Sequence, residues 1–306
     1  MKQNTVGNSF LLFLTAVIWG MAFVFQSKGM EYMDPLTFNG VRSLIGAASL
    51  LVFVLVRNRF TKQSLKDLDW RLTIRAGVFC GTALTIASTL QQYGIVQTSV
   101  GKAGFITTLY IIFVPIAGLL FGRRVSKIVW VAAVMAAVGM YLLCMNESFS
   151  VNMGDVLVFI CALFFTAHIM IVDYFSPKTD GVVISLIQFT VCGIVCMTGA
   201  FLFGNPAWSQ ITSGVSTLLY AGVMSCGVAY TLQIVGQKGV NPTVAALLMS
   251  LESVVATVAG VVAYRIGFLK SDQTMTLRQV AGCVIVFGAV ILVQLPREWF
   301  EKKRKA

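Results

Sequence analysis

One carboxylate, Glu252, lies in the middle of an apolar run, LMSLESVVATVAGVV. The other acids, Glu31, Asp34, Asp67, Asp69, Glu147, Asp155, Asp173, Asp180, Asp272, Glu298 and Glu301, lie at the ends of apolar runs or between them. An ionisable group at mid-bilayer carries an insertion penalty of roughly 2.5–3.5 kcal/mol. Such a carboxyl can accept a coupled proton or stand as counter-charge to an ammonium group. It can also be a structural acid paired across helices, since burial disfavours a lone charged carboxylate. Arg42 lies about two helical turns inside the second apolar run. Its guanidinium keeps its charge and must meet water, a carbonyl or an acid. It can contact an anion or a substrate carboxylate. It can equally snorkel outward, or form a fixed bridge to Glu252 or a loop acid.

Uncharged polar and aromatic groups extend this set. Gln91, Gln92, Gln188 and Gln233 offer donors and acceptors inside apolar runs, where they either line a path or lock helices together. Trp19, Tyr110 and Tyr230 sit in the interior of their runs, away from the interfacial belt where aromatics collect. Aromatic walls suit amphipathic organic molecules and cations, and they also serve as ordinary core packing. His168 is the only histidine; it can relay a proton or make one structural hydrogen bond. No second ligand lies at a helical spacing from it, so no metal site is expected, and no cofactor. Pro115, Gly101 and Gly104 are candidate hinge or close-packing positions.

The elements that must position these residues follow from composition. The chain has 306 residues, 57% hydrophobic and only 11% charged, with mean hydropathy +0.84. Soluble domains carry about a quarter charged residues. Apolar runs fall at 9–27, 35–56, 73–93, 100–121, 128–145, 155–173, 182–203, 214–235, 243–264 and 278–295. Each is long enough to cross a hydrocarbon core of roughly 30 Å as a helix. A β-barrel would need strict alternation in short segments, which the runs do not show. The expected fold is therefore an all-α integral membrane protein of ten transmembrane helices. The first run is longer than a signal-peptide core and is read as a membrane helix. The seven cysteines fall in apolar runs without metal-type spacing and read as small packing residues.

Charge sets the expected orientation. With the N-terminus in the cytoplasm, sixteen basic residues fall on the cytoplasmic side and five outside. The positive-inside rule then places both termini in the cytoplasm. The net charge of +11 is explained by topology and contact with anionic lipid, and needs no nucleic acid. The expected location is the plasma (inner) membrane, multi-pass.

The chain also repeats itself. DPLTFNGVR from Asp34 matches DGVVISLIQ from Asp180, which pairs Arg42 with Gln188. LQQYG near the end of the third run matches LQIVG near the end of the eighth, which pairs Gln91 with Gln233 and Gly94 with Gly236. The unit is five spans, 1–146 and 147–306. Five is odd, so the second copy enters the membrane from the opposite side. Inverted repeats recur in secondary transporters, with binding near the midplane.

Several stretches, in this order, resemble the EamA-type transporters of the drug/metabolite transporter superfamily. They are AVIWGMAFV, VRSLIGA, the Gln-x-x-Gly stretch, FVPIAGLLFGRRVS, LMSLESVVATVAGVV and TLRQVAGCVIVFGAVILV. The family often has proline after the acid of the ninth span, where this chain has Ser253, which leaves open whether that helix bends. The resemblance implies a secondary carrier of a small organic metabolite such as an amino acid or amphipathic compound, with export the commoner role. No GxxxxGK[ST] motif is present to suggest nucleotide drive. Energy would come from the solute gradient or from H+ coupled through Glu252. The competing readings are a membrane-embedded enzyme, for which the acid–base or metal cluster is lacking, and a passive channel, for which no filter loop is visible. The expected partners are the substrate and the bilayer, with H+ and a homodimeric second copy left open.

Overall fold

The computed structural model describes residues 5–60, 65, 68–123, 125–144, 152–270 and 276–294. Among these residues there is no strand. Ten apolar helices alternate in direction: α1 (Thr5–Gly29), α2 (Pro35–Phe60), α3 (Trp70–Ile95), α4 (Val100–Leu120), α5 (Lys127–Cys144), α6 (Met153–Phe175), α7 (Gly181–Phe203), α8 (Val215–Gln237), α9 (Pro242–Arg265) and α10 (Leu277–Gln294). Eight are long and apolar enough to cross a membrane by length and composition, and the apolar cores of α5 and α10 are shorter. Large exposed side chains such as Phe10, Val52, Phe53, Phe201 and Leu202 cover the periphery, as lipid requires and water would penalise. The face that carries the start of α1 and the end of α10 is called the near face, and the opposite one the far face.

The two halves are built on the same plan in opposite directions. Asp34 caps α2 by accepting from the Leu36 and Thr37 amides at 2.9 and 3.0 Å. Asp180 caps α7 by accepting from Val182 and Val183 at 2.9 and 3.1 Å. Gly94 of α3 rests on Gly154 and Val158 of α6, while Gly236 of α8 rests on Asn8 and Leu12 of α1. The contacts are equivalent, and the far-face end of one half does what the near-face end of the other does. The pairs α2–α7 and α5–α10 face each other across the pseudo-twofold axis of this arrangement.

In lipid no hydrophobic drive pulls helices together, so close backbone approach supplies the packing. At Gly20 of α1 a Cβ would lie 2.4 Å from Val255 Cβ and 2.7 Å from the Glu252 carbonyl oxygen of α9. Glycine is what lets α1 lie against the segment that carries the acid.

Two spans are broken at mid-depth. In α4 the Val100–Thr108 segment ends at Leu109 and helix resumes at Tyr110. In α9 the Pro242–Met249 segment ends at Ser250 and helix resumes at Leu251. The interruption of α4 therefore falls six residues before Pro115, which sits buried inside the second segment. The break in α9 exists without a following proline: Ser253 stands there, and its hydroxyl and its amide both donate to the Ser250 carbonyl, at 2.8 and 3.1 Å. In α8, Tyr220–Ala229 is wound as a π-helix, a local geometry found mostly at functional sites.

The two ends of the molecule differ. At the far face Met33, Phe38, Leu218 and Ala221 form an apolar seal, with Tyr32 and Ile211 packed against it. At the near face the equivalent region is an open cleft lined by Arg57, Lys178, Asp180 and Lys238 among others.

Substituting Gly20→Ala is expected to destabilise the protein by about 1–3 kcal/mol through overpacking. A Cβ at Gly288 meets nothing within 4 Å, so Gly288→Ala is expected to be neutral. Thermal unfolding in detergent compares the two; equal transitions would contradict the close α1–α9 packing.

Candidate functional site

A narrow cavity lies between the halves, lined by Trp19, Phe23, Gln26, Arg42, Gln91, Thr107, Tyr110, Phe165, Ile169, Ser225, Tyr230, Gln233 and Glu252. Seven of these were singled out from the sequence: Glu252, Arg42, Gln91, Gln233, Tyr110, Tyr230 and Trp19. They come from six different helices and meet here because the repeats bring their broken and glycine-rich segments together.

Glu252 is 3% exposed and accepts a hydrogen bond from the Tyr110 hydroxyl at 2.9 Å. Tyr110 lies eleven residues after the α4 cap Ser99, and Glu252 eleven after the α9 cap Asn241. The two side chains are thus equivalent positions of the two halves, bonded across the pseudo-twofold axis beside both helix breaks. Trp19 and Phe165 are related in the same way, as are Phe23 and Ile169 and the pair Gln91 and Gln233; every one of these residues faces the cavity.

Arg42 is 6% exposed. Its guanidinium carbon stands 5.3 Å from the Phe38 ring centroid, and its Nε is buried without a hydrogen-bond partner. Ion pairs among the described residues join Lys28 and Lys270 to Glu31, Arg57 to Asp180, Lys102 to Asp155 and Arg123 to Asp173. Neither Arg42 nor Glu252 belongs to any of them. The bridge from Arg42 to Glu252 or a loop acid, one of the structural readings of the sequence, is therefore not formed: cation and acid face one chamber without neutralising each other.

Further polar atoms on the lining are also unmatched. Trp19 Nε1, Gln26 Oε1 and Gln233 Oε1 are buried and have no partner. Buried polar groups are normally satisfied, so each such atom calls for an explanation. Gln91 Nε2 donates to Thr107 Oγ1 at 3.0 Å. The aromatic wall is continuous: Trp19 and Tyr230 are 4.5 Å apart between ring centroids, and Phe189 supports Tyr230 from behind at 5.1 Å.

Three polar sequence candidates, His168, Gln188 and Gln92, stand outside the cavity. His168 Nε2 and Gln188 Oε1 are 3.0 Å apart, both residues fully buried. His168 meets the Tyr230 ring edge-on at 5.9 Å, one side chain behind the wall. The repeat matched Gln188 to Arg42, yet only Arg42 reaches the chamber. Gln92 donates to the Gln26 carbonyl at 3.3 Å and also lies off the lining. A Cβ at Gly104 would meet Ala256 and Ser253 of α9 at 3.5 and 3.6 Å, and one at Gly101 would meet Thr257 at 3.4 Å, ordinary contacts that do not require glycine at either position. Phe23, Gln26, Thr107, Phe165, Ile169 and Ser225 were not anticipated. The spacing that relates α1 to α6 would have found Phe165 and Ile169 from Trp19 and Phe23; Ser225 lies on the lining within the π-helical segment, which the sequence does not announce.

With this geometry in view, the chain can be placed among known proteins. The model of the EamA-like transporter family matches twice, over residues 8–145 and 152–295. The chain belongs to that family, and the fold is that of a ten-helix membrane transporter built from two inverted repeats. It is 29% identical over 285 residues to an uncharacterized transporter of Archaeoglobus fulgidus, covering 93% of this chain and 84% of the relative. It is 25% identical to the uncharacterized transporter YwfM of Bacillus subtilis, covering 95% and 96%. It is 24% identical to the uncharacterized inner membrane transporter YedA of Escherichia coli K12, covering 95% and 92%. A crystal structure 17% identical to the chain shares the fold with a TM-score of 0.74, covering 97% of this chain and 99% of that one.

Replacing Tyr110 by Phe removes the hydroxyl that bonds Glu252. The infrared carboxyl signature assigned to Glu252 by its loss in Glu252→Gln is expected to shift in Tyr110→Phe. An unchanged band would contradict the bond across the axis.

Proposed function

We propose that the chain is a secondary active exporter of a small zwitterionic or amphipathic metabolite of the amino-acid type. It works by alternating access in the plasma membrane, with the near face in the cytoplasm. One observation carries this reading: Arg42 and Glu252 face the same aromatic-walled cavity and leave each other unpaired. A charge held at membrane depth without a protein partner is strongly disfavoured, and a molecule bearing a carboxylate and an ammonium group would satisfy both. Arg42 would take the carboxylate through charge-assisted hydrogen bonds. Glu252 would face the ammonium group, and the aromatic wall the apolar part of the substrate.

The pseudo-twofold plan supports alternating access. Two halves of like construction can exchange roles, the far face opening as the near face closes. The difference between the far-face seal and the near-face cleft fits one of the two states. Coupling has a simple physical basis at Glu252. A carboxyl group cannot hold a proton and an ammonium ion together, so proton and substrate compete for it and exchange in opposite directions. The sixteen-to-five distribution of basic residues supports the cytoplasmic placement of both termini.

In proteoliposomes, saturable counterflow is expected for a zwitterionic substrate; linear flux would mean a pore, and a changed product an enzyme. Acidification is expected to weaken substrate binding to the wild type and to leave binding to Glu252→Gln independent of pH. Full transport with unchanged pH dependence in Glu252→Gln would remove the coupling role. Arg42→Ala is expected to weaken carboxylated substrates by roughly tenfold or more, the scale of a hydrogen bond to a charged group, with neutral analogues little affected. Equal loss for both would make Arg42 structural.

A further inference from the structure

The near-face cleft is separate from the central cavity and has its own chemistry. Its rim carries Arg57, Lys178 and Lys238. Among the described residues of the cleft the one carboxylate, Asp180, is already held by Arg57 at 2.8 Å and by the α7 amides that it caps. Lys178 and Lys238 are exposed, the Lys178 ammonium 3.0 Å from the Tyr174 ring centroid. Deeper in the cleft Ser176, 2% exposed, has a buried hydroxyl with no partner. The wall below is apolar, formed by Leu65, Leu68 and Val235.

The inverted repeat makes this arrangement informative. At the far face the positions equivalent to Lys178 and Thr179 are Tyr32 and Met33, which pack with Ile211 in the apolar seal and fill the corresponding space. At the near face Lys178 and Thr179 stand where Tyr32 and Met33 stand at the far face, and among the described residues the space beside them is open. A space bounded by ammonium groups, a buried hydroxyl and a hydrocarbon wall matches a phosphate joined to acyl chains.

We infer that this cleft binds an anionic phospholipid of the near-face leaflet, its phosphate between Lys178, Lys238 and Ser176 and its glycerol and upper acyl chains against the apolar wall. The lipid then occupies the space that Tyr32, Met33 and Ile211 occupy at the other end, and it holds the near-face ends of α2, α6, α7 and α8 apart. Anionic lipid is attracted to juxtamembrane lysines by about 1 kcal/mol each. The inference concerns a site distinct from the Arg42–Glu252 cavity and is independent of which substrate that cavity takes.

The test uses the full chain in nanodiscs of phosphatidylcholine with increasing phosphatidylglycerol, followed by native mass spectrometry after transfer to detergent. Wild-type protein is expected to retain one phosphatidylglycerol over phosphatidylcholine by roughly fivefold or more. The double variant Lys178→Gln/Lys238→Gln is expected to lose that preference while unfolding at the wild-type temperature in pure phosphatidylcholine. Equal retention of the two lipids, or a preference unchanged in the double variant, would overturn the proposal. Stabilisation by inorganic phosphate alone, with no retained lipid, would assign the cleft to a soluble anion and overturn it as well, and so would a retained second copy of the chain without lipid.

Discussion

A cation and an acid buried in the same chamber, each without the other as partner, set the requirement that the rest of this fold meets. The usual resolution of two opposite charges in a low-dielectric interior is to pair them, since breaking such a pair leaves an uncompensated buried charge. Here the walls hold Arg42 against the Phe38 ring and Glu252 against the Tyr110 hydroxyl. Each is held by a neighbour that forms no ion pair with it. Such a chamber is attractive to a molecule that brings both charges with it, and its aromatic lining accommodates what the charges do not.

The position of the acid matters as much as its chemistry. Tyr110 and Glu252 are the same place in two oppositely inserted repeats, each just beyond the point where its helix breaks. A contact on the pseudo-twofold axis lies where the two halves must move relative to each other if one end is to open and the other to close. Protonation or ligation of Glu252 therefore acts on the element common to both states. A ligand shifts a conformational equilibrium only through its differential interaction with the two states, and this hydrogen bond is one interaction that such an event changes directly.

The membrane fold was legible because lipid leaves few choices: runs of the right length must be helices, and an odd-numbered repeat must invert. Glu252 and Arg42 stood out for the same reason, as charges where charges are disfavoured. Gln91 and Gln233 emerged from the internal match, and Gly94 and Gly236 with them. Phe23 and Ile169 could not be told from core residues, because an apolar side chain carries no mark of facing a cavity. Gln188 was misleading: the match to Arg42 is real, but a neighbouring His168 with no counterpart in the first half draws it away from the chamber. Pro115 stood out as a helix breaker, yet the interruption of α4 falls at Leu109 and that of α9 at Ser250, where no proline marks them.

The central claim, that Arg42 and Glu252 are kept apart for a ligand, is tested most directly by a double-mutant cycle on the empty protein. Unfolding free energies would be measured for wild type, Arg42→Met, Glu252→Gln and the double variant. The account predicts additivity within about 0.3–0.5 kcal/mol, as for groups that do not interact. A coupling well above about 1 kcal/mol would show that the two charges stabilise each other in the resting protein, and would contradict it.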